Sequence, residues 1–282
     1  MSSRSAMSSR SACPALDDRI ARLRELAQSE PRLEGVLLYG SWTLGEADAH
    51  SDIEAYLYVQ DEHVDDFDGP AFLAQLAPLE LAYTNMHGIL AVVFDDLMRG
   101  EFHITAAGPG IDEVPAWEGA VHLPRPESAV LLDRTGRLTR AARHLAAFRP
   151  PEPATTAQQL THELANWTLM LAHVLARGEV ARGHAVLHSV IGPLQLQLCR
   201  LLRGSTAHWL TPSRAMEQDL PAADRARYTA TTSAALPQEL RAAARSSWRW
   251  SRELSAEAAE RWGIRVPGSL HERISDLLVT NG

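Results

Sequence analysis

Asp52 and Glu54 stand two residues apart at the start of a β-rich run, Ile53–Val59. Side chains at i and i+2 of a strand share a face. Two carboxylates placed so repel, and they cost stability unless a cation lies between them. A divalent metal meets that need, and hard oxygen donors favour Mg²⁺. Eleven residues before Asp52, Gly40-Ser41 ends a shorter apolar run, Val36–Tyr39. Glycine lets a backbone come close to a phosphate, and Ser41 adds a hydroxyl donor. Paired acids beside a Gly-Ser bend read as a seat for a metal–triphosphate.

The elements that must position these residues follow from hydrophobic period and turn chemistry. Leu16, Ile20, Leu23, Leu26 and Ala27 have helical spacing over Ala15–Ser29, stopped by Pro31. The connection between the two motif strands holds Gly45, Asp48, His50 and Ser51. The acidic run Asp61–Asp68 reads as a solvated turn before it reads as a lip for a cationic ligand. A short helix broken near Pro78 is expected over Phe72–Leu81. A third strand is expected over Ile89–Asp96, a fourth over Arg99–Ile104, and a short one over Ala129–Asp133. Gly108–Pro126 reads as a loop and Arg137–Phe148 as a helix.

After Arg149-Pro150-Pro151-Glu152-Pro153, a stiff polyproline-like segment, strand signals disappear. Leu160, Leu164, Trp167, Leu171, Val174 and Leu175 form one helical stripe. Further helices are expected over Arg182–Leu202, kinked at Gly192-Pro193, then over Leu220–Ala235, Pro237–Trp262 and Leu270–Val279. The expected fold is α+β: a small mixed sheet with flanking helices, then an α-helical bundle. The expected boundaries are a disordered tail at 1–14, a first domain at 15–149, a linker at 150–153 and a helical domain at 154–282. MSSRSA at 1–6 recurs at 7–12 without the apolar stretch of a signal peptide.

The 282 residues suffice for one large or two modest domains, and the net charge is −8. That balance argues against a nucleic-acid backbone as partner, yet leaves ATP open, since a metal and a few arginines can neutralise it locally. All 27 basic residues are arginine, which excludes Schiff-base lysines and a P-loop lysine. Cys13 and Cys199 give neither metal spacing nor a disulfide framework, which suits a reducing cytoplasm. The expectation is a cytoplasmic protein without a membrane span, as no apolar run approaches eighteen residues.

The string YGSWTLGEADAHSDIEAY resembles the lincosamide-type antibiotic nucleotidyltransferases of the polymerase-β-like superfamily, whose pattern is close to YGS-x-T-x-GEGD-x-YSDIE-x-Y. FDDLMRGEFH is similar to their FDNL-x-RGEFH. The likeness continues through Asn166-Trp-Thr-Leu-Met, Arg177-Gly-Glu179-x-Ala-Arg182, Gln195-Leu-Gln-Leu and Trp209-Leu210. It implies nucleotidyl transfer from a triphosphate to a hydroxyl, with Mg²⁺ and ATP as cofactor and co-substrate. Asp52 and Glu54 would be metal ligands, with Gly40 and Ser41 at the β/γ-phosphates.

Such sites also need a third carboxylate, as metal ligand or base. Asp95, Asp96 and Glu101 are the candidates, with Glu101 preferred because it lies in the RGEFH match with His103 on its strand face. A glutamate that some relatives carry in the third strand is replaced here by Leu90. His103 reads equally as base, phosphate donor or core-edge histidine. Arg99, Arg177 and Arg182 are candidate phosphate ligands and Asn166 a base or sugar contact. Glu179 and Glu163 are candidates for an acceptor amine or hydroxyl, Glu163 the weaker because acids are common where a helix begins, and Trp167 reads first as core. The expected acceptor is a lincosamide, with a homodimer among the states the family allows. An aminoglycoside or another natural product as acceptor, or a non-catalytic antitoxin-like module, are the competing readings.

Overall fold

The computed structural model describes residues 13–280 and forms two compact units, the first ending at Arg149 and the second starting at Pro150. The duplicated MSSRSA segment lies outside the described residues. Cys13 and Pro14, expected in the tail, belong to the fold. Cys13 is buried and its thiol donates to the Asp48 carbonyl at 2.8 Å, while Pro14 begins the first helix.

In the first unit a six-stranded sheet has the order β3-β4-β5-β2-β1-β6. Its strands are β1 (Leu33–Leu38), β2 (Ile53–Val59), β3 (Leu79–Thr84), β4 (Leu90–Phe94), β5 (Arg99–Ala106) and β6 (Val130–Asp133). All neighbours are antiparallel except β2 and β5, which run parallel. Its helices are α1 (Pro14–Ser29), α2 (Ser41–Leu44), α3 (Gly69–Leu73), α4 (Ala107–Glu113), α5 (Pro126–Ala129) and α6 (Arg137–Ala142).

Alternation along β2 divides the sheet into two faces. Ile53, Ala55, Leu57 and Val59 join Leu90, Val92, Phe94 and Phe102 in one core, closed by Leu16, Ile20 and Leu23 of α1 and Phe72 and Leu73 of α3. Each large side chain buried there contributes about 1.5–3 kcal/mol. Toward one end of the opposite face, Leu37 and Tyr58 pack with Ala107 and Ile111 of α4 and Leu138 of α6.

Two expectations need correction here. Leu79–Thr84 is the edge strand β3, not the end of a helix; the helix before it, α3, is over at Leu73. Gly108–Pro126 is no continuous loop, since α4 and a 3₁₀ turn, Val114–Trp117, occupy much of it. The acidic run has structural work. Asp61 accepts the Gly108 N–H at 2.8 Å, and Asp68 caps α3 by accepting the Ala71 N–H at 2.9 Å.

The second unit is helical: α7 (Pro153–Ala176), α8 (Val180–Val186), α9 (Gly192–Arg203), α10 (Met216–Asp219), α11 (Ala222–Thr229), α12 (Pro237–Trp262) and α13 (Gly268–Thr280). Pro153, expected in the linker, is the first residue of α7, and the Glu152 carboxylate caps it at the Ala154 and Thr155 N–H groups. The helix expected over Leu220–Ala235 is shorter, as α11 stops at Thr229. The kink at Gly192-Pro193 takes the form of a π turn, Leu187–Ile191, because Pro193 has no N–H for the normal ladder. Val180–Arg203 is long and apolar enough by length and composition to cross a membrane, but 61% of its apolar window is buried. Leu187, Ile191, Leu196 and Leu198 from it join Leu164 and Leu171 of α7 and Trp248 and Leu254 of α12 in the unit's core.

Candidate active site

The strand ladder brings the expected acids together. Glu54 of β2 is in register with Glu101 of β5, and in parallel pairing such partners point to the same face. Asp52 lies two residues before Glu54, and Arg99 two before Glu101, so all four share the face opposite the main core. The Arg99 guanidinium donates to Glu101 at 2.9 Å and pairs with Asp52 at 3.5 Å.

The Gly-Ser bend adjoins this row. The Tyr39 N–H donates to the Glu54 carbonyl at 3.2 Å, which holds the end of β1 against Glu54. Gly40 has φ 78° and ψ −155°, a region that is essentially glycine's alone. A Cβ there would stand 1.7 Å from a Glu54 carboxylate oxygen. Glycine is thus required twice, by conformation and by the carboxylate beside it. Ser41, buried, opens α2, whose first N–H groups have no side-chain cap. Helix α2 is fixed on both sides: Thr43 donates to the Gly40 carbonyl at 2.8 Å, and the Trp42 indole N–H to Asp17 of α1 at 2.7 Å. Uncapped amides and a serine hydroxyl beside clustered acids are a donor set suited to phosphate.

Next along the same face, His103 stacks on Tyr56 with ring centroids 4.1 Å apart, and its Nε2 lies 3.2 Å from the Tyr39 hydroxyl. Burial lowers the His103 pKa, against an opposing pull from Glu101. Burial, then the charges of Glu54 and Glu101, push Tyr39 far above the usual phenol range. Near neutral pH the contact therefore joins a protonated phenol to a neutral imidazole. Trp117 leans on Tyr56 at 4.7 Å and closes this end. Tyr39, Tyr56 and Trp117 were not singled out from the sequence. The signal for the first two was there, in the alternation that sets Leu37 with Tyr39, and Glu54 with Tyr56.

The other candidates are placed as follows. Asp96 is engaged elsewhere, accepting from Arg19 at 2.9 Å. Asp95 is exposed in the β4–β5 turn, with its N–H on the Pro78 carbonyl. Strand pairing does not bring it into the row of Asp52, Glu54 and Glu101. Leu90, where some relatives carry glutamate, is buried and faces the main core; Ala91 is the β4 residue in register with Glu101. In the second unit, Asn166 and Glu163 are exposed on α7 and Arg177 is exposed at its C-cap. Arg182 pairs with Glu179 at 3.0 Å, and Trp167 packs on the unit's core.

Among the described residues, no three acids, histidines or cysteines converge as a ready metal cage. The donor chemistry nevertheless fits a hard divalent cation, because Mg²⁺ keeps several waters and takes one or two carboxylates together with substrate phosphates. A cleft of about 660 Å³ runs beside Asp52 and Arg99, lined also by His50, Asp96 and Met98. On the same face Leu81 and Tyr83 of β3 are about half exposed, at 49% and 52%. The ladders align Tyr83, Ala91, Glu101 and Glu54 in one row across four strands.

Residues 154–277 match a family model described as the C-terminal domain of lincosamide nucleotidyltransferase-like proteins. The match takes in nearly all of the helical unit. It does not extend to the sheet unit that carries Asp52, Glu54 and Glu101. A solved structure, an aminoglycoside 6-adenyltransferase from Bacillus subtilis, is similar at a TM-score of 0.44 and 13% identity over 94% of this chain and 98% of that one. A likeness that distant speaks to neither acceptor nor donor. No protein with a curated description matches the sequence.

Proposed function

We propose, from the premise that the helical unit is a lincosamide nucleotidyltransferase-like domain, that this chain transfers AMP from Mg²⁺-bound ATP to a hydroxyl of a lincosamide. The observation that carries the reading is the row of Asp52, Glu54 and Glu101 beside the Gly40-Ser41 bend. An antitoxin-like module would have no need of that arrangement.

Ser41 and the first amides of α2 would hold the leaving phosphates, and Asp52 and Glu54 would be the metal ligands. Bound there, the cation supplies charge neutralisation at the reacting phosphoryl group. The acceptor oxygen attacks the α-phosphorus, a P–O ester bond forms, the bond to the β-phosphate breaks, and pyrophosphate leaves. The hydroxyl proton passes to the Glu101 carboxylate, which is best placed as base because Glu54 stands in register beside it. His103, neutral and held by Tyr39 and Tyr56, lies two residues from Glu101 on that face and would orient the acceptor. Arg177, Arg182 and Asn166 are proposed to contribute nucleotide contacts from the helical unit, and Asp95 ranks behind Glu101 for the base.

Leu81 and Tyr83 favour an amphiphilic acceptor over a polycationic aminoglycoside. They extend the acid row with apolar surface, which suits a drug carrying an apolar arm. Mass spectrometry after incubation with ATP and Mg²⁺ tests the proposal. Lincomycin or clindamycin should gain one AMP, while kanamycin and streptomycin should not. An adduct on an aminoglycoside alone would reassign the acceptor, and no adduct or pyrophosphate with any of them would remove the enzyme reading.

A further inference from the structure

We infer that Arg99 is a built-in counter-cation of the acid row, exchanged for the divalent metal, so that metal and triphosphate bind this chain cooperatively. The inference rests on the nucleotidyl-transfer reading above. Three carboxylates on one sheet face repel one another. The Arg99 guanidinium is placed so that its two terminal nitrogens reach two of these acids, Glu101 at 2.9 Å and Asp52 at 3.5 Å. Arg99 thereby spans β5 and the residue that leads into β2. Asp52 is one of the acids that the reaction assigns to the metal, so guanidinium and metal compete for the same oxygens.

The competition is weighted to be reversible. The Arg99 side chain is 61% exposed, against 27% for Asp52 and 30% for Glu101. Exposed pairs of this kind are weak individually. A divalent ion outbids a single exposed guanidinium for a carboxylate, and the released side chain keeps its charge beside the Gly40-Ser41 bend. It is then free to pair bidentately with a phosphate. Metal binding exposes a phosphate ligand, and phosphate binding removes the competitor from the metal's acids. By linkage each must strengthen the other. Among the described residues, Arg19 at this end of the sheet cannot substitute, because it is buried, committed to Asp96 and seated over the Phe94 ring at 4.1 Å.

The test is Mn²⁺ titration of the full chain by electron paramagnetic resonance, with and without a non-hydrolysable ATP analogue. It is applied to wild type, Arg99→Gln, Arg99→Lys and Asp52→Asn, with melting curves to confirm folding. For Arg99→Gln, Mn²⁺ alone should bind more tightly, by about twofold to thirtyfold, the range that two exposed ion pairs span. The analogue should then enhance Mn²⁺ binding less than in wild type, and Arg99→Lys should restore part of that enhancement. Unchanged or weaker binding of Mn²⁺ alone by Arg99→Gln would overturn the inference while leaving the nucleotidyl-transfer reading intact. Absence of Mn²⁺ binding by folded wild type even with the analogue, or full binding by Asp52→Asn, would overturn the metal role itself.

Discussion

At the residue scale the site depends on side chains that are costly to hold together, and that cost makes the predictions sharp. Gly40→Ala would place a methyl group 1.7 Å from a Glu54 oxygen at φ 78°. The backbone term alone costs about 1–3 kcal/mol. A displaced Glu54 would lower turnover roughly hundredfold, the usual penalty for a misplacement of about 1 Å at a reacting centre. A folded Gly40→Ala enzyme with wild-type turnover would refute the close approach. Asp52→Asn should abolish turnover in a chain that still melts cooperatively within a few degrees of wild type, because Asp52 is partly exposed and no core packing depends on it. Pyrophosphate release and calorimetry separate the two effects. The local part of this site was legible: Asp52, Glu54, Gly40 and Ser41 announce themselves by spacing within one short segment. The third acid was not, because three candidates lie within seven residues and only the β2–β5 register chooses among them.

At the element scale, two segments were misread for physical reasons. Strand β3 lies at the sheet edge, and most of its side chains are exposed on both faces, so it lacks the buried alternation that marks a half-covered strand. Helix α4 contains Gly108, Pro109 and Gly110, which by propensity alone argue against a helix. Tertiary packing decides otherwise. A Cβ at Gly110 would come within 2.8 Å of Thr105 and 3.1 Å of Tyr58, so the glycine lets α4 settle onto the sheet. The misread strand also carries the apolar part of the proposed acceptor surface. Tyr83→Ser should leave melting temperature and nucleotide binding unchanged, since Tyr83 is half exposed. It should raise KM for a lincosamide by about fivefold to tenfold, a fraction of the roughly 1.5–3 kcal/mol that full burial of a large side chain is worth. An unchanged KM would place the acceptor's apolar arm elsewhere.

At the scale of the whole molecule, each of the two compact units has its own core. Histidines at or beside these cores, His271 buried and His103 and His188 partly so, couple stability to pH. His103 in the first unit and His188 and His271 in the second all titrate below the ordinary histidine value of 6.5, chiefly because burial disfavours the charged ring. Nearby cations add to this at His271: Arg252 on α12 and His162 on α7 both oppose its protonation. The unfolded chain therefore takes up these protons first as pH falls. Stability from the neutral rings is fully present above about pH 6.5 and is lost as pH drops through that value toward the lowered native ones. Carboxylates held below their usual range, such as Asp133 and Asp219, come into play only at lower pH, so the two windows separate. The melting temperature should thus be level from pH 8 to 7 and should fall between pH 6.5 and 5. His271 is the decisive position. It is 3% exposed, packs edge-on against Trp248, and its Nε2 has no hydrogen-bond partner. His271→Phe keeps the ring contact and removes the titration, so it should flatten that fall. Each kcal/mol recovered is worth about 2–4 °C for a protein of this size. A wild-type melting temperature that stays level down to pH 5, or a fall that His271→Phe leaves unchanged, would show that these rings do not set the acid limit of the fold.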